Sequence, residues 1–153
     1  MHLTIRSMAS LDANEMERLY AQSAAHLRAL GDDSEFRFGA EVYLRDGFGA
    51  RPAFQGIVAA EEDRLAGYLL YTFGYDTDRA ARQLFVVDLL VDETVRRRGI
   101  GRALMERAAA ICREAGGSEM VWVVHARNRL AIDFYRRLGA VDLAGLGMMR
   151  LPV

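Results

Sequence analysis

Lysine is missing from this chain: all 20 basic residues are arginine. Genome-wide compositional bias accounts for that most simply, yet one chemical consequence is firm. No lysine is available as a catalytic amine or as the phosphate-binding residue of a P-loop. Cysteine is nearly missing too. Cys112 stands alone, which excludes an internal disulfide framework and any metal site built from several cysteines. With no lysine beside it, it reads as a buried helix residue rather than a nucleophile. No apolar run approaches the roughly 20 residues that span a bilayer, and the opening "MHLTIRSMAS" lacks a signal-peptide core. The expectation is a cytoplasmic protein with no membrane partner. A strong charge imbalance is also lacking. The formal net charge of −1 argues against an extended nucleic-acid surface. Repeats, linkers and low-complexity segments are absent, so the 153 residues are expected to form one domain over 1–153.

What the sequence does contain is 52% hydrophobic and 27% charged residues, the balance of a soluble globular protein. "LTIR" (Leu3–Arg6) reads as a first strand. Asp12 followed by Glu15 resembles a capping box, and Met16, Leu19, Tyr20, Leu27 and Leu30 recur at helical spacing, predicting a helix near 12–30. A short helix is expected around Ala40–Asp46. Segments 54–60 and 64–75 flank the polar "EEDR" as a hairpin, and 82–91 is a nearly continuous apolar run, typical of a strand covered on both faces. Leu104, Ala108, Ile111, Cys112 and Ala115 form one helical stripe, stopped by Gly116-Gly117. "MVWVVH" (120–125) reads as a fifth strand, 129–140 as a short helix, and 141–151 as one or two final strands. The fold class is therefore α/β with a mixed sheet.

Between the apolar strand and the striped helix lies "VRRRGIGRALM" (95–105). The first turn of a helix leaves backbone N–H groups unpaired at the positive end of the helix dipole. Glycines at 99 and 101 would let a phosphate approach that backbone, and arginines 96–98 add charge-assisted bonds at the rim. A pyrophosphate is the predicted ligand. The turn lacks the Gly-Lys-Ser/Thr of a P-loop and the third glycine of a dinucleotide fingerprint. A merely solvated arginine corner remains the alternative at this point.

Arg96-x-x-Gly99-x-Gly101 resembles the acyl-CoA signature R/Q-x-x-G-x-G/A of the GNAT N-acetyltransferases. Downstream, Asn128-Arg-Leu-Ala131-Ile-Asp-Phe134-Tyr135-Arg-Arg-Leu138-Gly139-Ala140 is similar to that family's second motif, in order and at the expected distance. "LRDGFGARPAF" (44–54), "GYLLYTFGYD" (67–76), "FVVDLLV" (85–91) and "GAVDL" (139–143) are similar to the diamine branch, which acts on spermidine, spermine or thialysine. The resemblance implies a GNAT fold: a central mixed, mostly antiparallel sheet of six to seven strands flanked by about four helices. It implies acetyl-CoA as co-substrate, no metal, a small-molecule amine as acceptor and a homodimer.

It also implies roles for particular residues. The backbone of Leu89, Leu90 and Val91 would pair with the pantetheine arm, whose two amides suit a strand edge. Amides from Arg97, Arg98, Gly99, Ile100, Gly101 and Arg102 would hold the pyrophosphate, with Arg96 opening the motif. Asn128 and Ala131 correspond to cofactor-contacting positions. Tyr135 corresponds to the general acid that protonates the departing thiolate; Phe134 is assigned to the core. The branch's catalytic glutamate falls on Val87, and a further acidic residue is lost near Gly147, so a long polyamine is a poor acceptor. Candidate replacements at the acceptor are His26, Asp76, Asp88 and Trp122, with His125 of similar standing. Each has a plain alternative: a surface histidine, a turn aspartate, a core tryptophan. Asp88 should point away from Val87, and an aspartate in so apolar a strand is costly unless paired. Either the fold or the site needs it. A protein acceptor, or an acyl-CoA-binding module without catalysis, are the competing readings.

Overall fold

The computed structural model describes residues 2–153, which form two compact units, one reaching to Val123 and the other Val124–Val153. In the first unit β1 (Leu3–Ser7), β2 (Gln55–Glu61), β3 (Arg64–Asp76), β4 (Ala81–Val91) and β5 (Gly117–Val121) lie in that order across one sheet. The first four strands are an antiparallel meander. β5 is parallel to β4, reached through the crossover helix that a parallel pair requires. Helices α1 (Ala13–Ala29), α2 (Ala40–Gly47) and α3 (Ile100–Glu114) complete this unit. The second unit carries α4 (Arg129–Arg137), ended by Gly139 at φ 94°.

The mixed sheet and four helices agree with expectation; the strand number does not. Five strands are described rather than six or seven, and residues 141–151 carry no strand. β5 also begins at Gly117, three residues ahead of the expected 120, and ends at Val121. Gly116 adopts φ 79° and stops α3, whereas Gly117 is already strand, paired with Arg82, and lacks a side chain where a Cβ would lie 2.4 Å from Cys112 Sγ. The pair read as one stop signal does two jobs.

The capping box does not form either. Asp12 turns back instead, accepting the Ala9 N–H (2.8 Å) and a two-pronged contact from Arg6 (2.8 and 2.9 Å). Glu15 is drawn to Arg18 and to the Leu65 N–H.

One sheet face is sealed by α1 and α2. Met16, Leu19 and Tyr43 pack there with Val58, Leu65, Tyr68, Leu70 and Leu90. Each fully buried leucine or methionine contributes about 1.5–3 kcal/mol. On the other face Leu104 of α3 sits over Gly67, where a Cβ would stand 3.4 Å from the leucine and 2.6 Å from the Leu90 carbonyl.

The register of β4 changes in mid-strand. Tyr71 pairs with Val86 and Leu70 with Asp88, leaving Val87 as an extra residue, a β-bulge. Paired residues share a face. Leu84 and Val86 therefore lie on the α3 side with Tyr71, while Asp88 and Leu90 lie with Leu70 and Tyr68 on the α1/α2 side. The bulge is what aims Asp88.

Candidate active site

Strand pairing leaves a particular gap. β5 pairs with β4 from Arg82 to Phe85 and goes no further. Leu89, Leu90 and Val91 are matched by Leu69, Tyr68 and Gly67 on the β3 side alone. Their outward N–H and C=O groups are thus an open edge of the kind that accepts an extended, amide-bearing chain.

That edge leads directly into the arginine-glycine turn. Asp92 caps a 3-10 turn (Glu93–Val95), Arg96 is extended, and Arg97 and Gly99 both adopt left-handed backbone, φ 65° and 79°. Gly99 is the N-cap of α3, and having no side chain it offers no capping bond. Nothing lies within 4 Å of a Cβ built on it, so its need is conformational, and the space before α3 is open. The first-turn amides of α3 and the helix dipole face that space, an anion-binding arrangement.

The arginine side chains are less free than the sequence indicates. Arg98 is paired with Glu61, at 2.7 and 3.4 Å, bracing the turn against the end of β2. Arg96 Nε donates to the Val91 carbonyl at 3.5 Å, and Arg102 lies 3.8 Å from Glu106 along the helix.

Asp88 is partly buried and accepts a short hydrogen bond, 2.6 Å, from the Tyr68 hydroxyl. Burial pushes its carboxyl above the usual carboxylate range, only partly offset by that bond and by the Leu89 N–H. Burial and the neighbouring Asp88 charge likewise push the Tyr68 phenol well up. A carboxylate with a raised pKa on an inward sheet face has the properties of a proton acceptor. Val87, in the bulge, is 47% exposed. Tyr68 was not foreseen; the alternation of β3 marks it as inward, but its partner depends on the bulge.

Asp76 is committed to its own turn: it accepts the N–H groups of Asp78 and Arg79 and pairs with the Arg79 guanidinium at 3.0 Å. Those bonds hold its carboxyl below the usual range. His26 occupies the last turn of α1, and Trp122 follows the final residue of β5; both are partly buried.

In the second unit, Asn128 is the N-cap of α4, its Oδ1 accepting the Ala131 N–H at 3.2 Å. Both motif positions thus meet in one capping bond. His125 Nδ1 accepts the Arg127 N–H. Phe134 and Tyr135 stand 5.3 Å apart, centroid to centroid, on α4. Among the described residues no group of three or more metal-ligating side chains gathers, and no helix is long and apolar enough to cross a membrane.

The fold defines the class: an α/β protein whose antiparallel meander passes through one helix to a parallel strand. Residues 15–140 match the model of the acetyltransferase (GNAT) family, and the chain belongs to that family as an N-acetyltransferase. It is 29% identical over 147 residues to a thialysine N-epsilon-acetyltransferase of Bos taurus, covering 91% of this chain and 84% of the relative. It is 28% identical over 150 residues to spermidine/spermine N(1)-acetyltransferase-like protein 1 of Homo sapiens, covering 94% of this chain and 21% of that one. Both belong to the branch the sequence resembles. Among solved structures, an integron cassette protein of V. cholerae superposes with a TM-score of 0.82 at 22% identity, covering 100% of this chain and 94% of its own.

Proposed function

We propose that the protein moves an acetyl group from acetyl-CoA directly to the primary amine of a small, amino acid-like or diamine-like molecule. The observation that carries this reading is the open β4 edge, Leu89–Val91, running into the glycine-capped start of α3. The edge would pair with the pantetheine amides, and amides from Arg97 to Arg102 would clasp the diphosphate, with Asn128 and Ala131 completing the cofactor contacts. The thioester supplies an activated acyl group. The amine nitrogen bonds to its carbonyl carbon, the carbon–sulfur bond breaks, and the sulfur leaves with the electron pair.

Tyr135 is the general acid for that sulfur by its place in the second motif. The attacking amine must first lose a proton, and with Val87 in the glutamate's place Asp88 is the best-supported acceptor for it. Its raised pKa and inward aim support the role. His26 and Trp122 are kept as acceptor contacts. Asp76 has the weakest claim, both oxygens being engaged in its turn. A homodimer working in the cytoplasm, with 1–153 acting as one domain, completes the proposal.

The test is turnover. Incubated with acetyl-CoA and a panel of amines, the protein should release free thiol with at least one small amine. Cofactor binding without turnover on any of them overturns the reading. Tyr135→Phe should lower kcat about 10²-fold with KM for acetyl-CoA little changed; an unaltered kcat removes the acid role.

A further inference from the structure

The two proposed cofactor-holding segments, the edge Leu89–Val91 and the turn Arg96–Gly101, are joined by Asp92–Val95. Whatever fixes this connection fixes the distance between them. That distance must match a ligand whose pantetheine and diphosphate are covalently spaced.

The connection is fixed by one carboxylate. Asp92 is 1% exposed. Its Oδ1 accepts the Thr94 N–H (3.0 Å) and hydroxyl (2.8 Å), with Gln22 Nε2 at 3.5 Å. Its Oδ2 accepts from Arg18 at 2.7 Å and from Arg64 at 3.2 Å, while its own N–H donates to the Ala66 carbonyl at 2.9 Å. Arg18 spends its remaining donors on Glu15 and the Leu65 carbonyl, and Gln22 Oε1 accepts the Glu93 N–H. Helix α1, the start of β3 and the 3-10 turn are thereby tied to a single point.

Stability alone is a weak reason for such a point. A buried ion pair is often matched or bettered by well-packed apolar side chains, and its best-attested benefit is one conformation rather than several. The need for one conformation is evident two residues after the 3-10 turn, where Arg97 takes a left-handed backbone that a non-glycine residue leaves unless held.

We propose that Asp92 is a positioning residue: through Thr94, Arg18 and Arg64 it sets the turn before α3 at the spacing from the β4 edge that the cofactor's diphosphate requires. The inference rests on the cofactor reading given above, and the experiment separates the two. The probes are coenzyme A, measured by calorimetry, and two acyl donors, acetyl-CoA and S-acetylpantetheine, the second having no diphosphate. If the unaltered protein fails to bind coenzyme A, the cofactor reading itself fails. If it binds, Asp92→Asn, which keeps shape but loses the charge, should weaken coenzyme A by about tenfold or more. kcat/KM for acetyl-CoA should fall in parallel through KM, while kcat/KM for S-acetylpantetheine stays within about twofold. Thr94→Val cuts the hydroxyl tie and leaves both arginine contacts; it should shift coenzyme A affinity in the same direction, about threefold. A lower melting temperature with unchanged coenzyme A affinity, or equal losses for both donors, overturns the proposal. Should Asp92→Asn not fold, an unchanged affinity in Thr94→Val overturns it equally.

Discussion

Arg97 holds a left-handed backbone, φ 65°, in the turn that precedes α3. An L-residue in that region pays about 1–2 kcal/mol, whereas glycine adopts it freely but loses about 0.5–1 kcal/mol through its more flexible unfolded chain. Arg97→Gly should therefore be neutral or stabilising by up to about 1 kcal/mol. Arg97→Val, β-branched, should destabilise by about 1 kcal/mol or more. Urea midpoints decide this: a valine variant as stable as the parent would mean the turn relaxes out of the left-handed region. No residue pattern announces this conformation. Glycine at 99 is compatible with such a backbone on sight, whereas an arginine doing the same thing is silent.

At the scale of the element, β4 holds the least expected feature. Apart from Arg82, Gln83 and Asp88 its residues are apolar, and nothing in their order marks Val87 as the one that falls out of the ladder. Periodicity locates the strand to within a residue at its start, yet strict alternation assigns Leu84 and Asp88 to one face, which the bulge undoes. Asp88 is aimed at the Tyr68 hydroxyl, while Val87 stands 47% exposed in the bulge. Exposure at Val87 has a use: a larger polar side chain fits there with the fold's stability unchanged to within about 0.5 kcal/mol. Val87→Glu places a carboxylate where the resemblance to the diamine branch implies one, and should raise kcat/KM for spermidine severalfold with the melting temperature unchanged. A folded variant with no gain on spermidine would show that this position no longer governs the acceptor.

Other elements were legible for plain reasons. The α3 stripe and the β2–β3 hairpin follow from spacing and from the polar "EEDR" between apolar runs. The capping box failed because other partners engage both carboxylates: Arg6 and the Ala9 N–H take Asp12, and Arg18 and the Leu65 N–H take Glu15. Residues 141–151 have strand-like composition without strand pairing, which composition by itself cannot supply. In the candidate site, the turn and both motifs were readable, whereas the ties made by Tyr68, Glu61 and Asp92 were not, since each pairs with a residue distant in sequence.

Among the described residues five carboxylates, Asp12, Glu15, Asp46, Asp76 and Asp92, have pKa values held down by their partners. Burial pushes Asp12 and Asp92 up, but Arg6 and the Ala9 N–H outweigh it at the first, and Thr94, Arg18 and Arg64 at the second. At Glu15 the Arg18 hydrogen bond leads. A depressed folded pKa contributes stability above the unfolded value, near 4, that is lost as pH falls through the folded value. Asp88, shifted upward, works oppositely: its contribution is complete below the unfolded value and is lost as pH rises. Urea midpoints should therefore fall steadily from pH 5 toward pH 2, and the fall should be shallower in Asp92→Asn. A midpoint constant over that range would mean these groups keep ordinary pKa values.

The brevity of β5 has a consequence apart from the proposed cofactor contact. Backbone groups at 89–91 that no strand covers are a template for any extended peptide, including a stray segment of another copy of this chain. Occupation by a small molecule would shield that template, so the protein should clump more readily when the edge is empty than when it is filled.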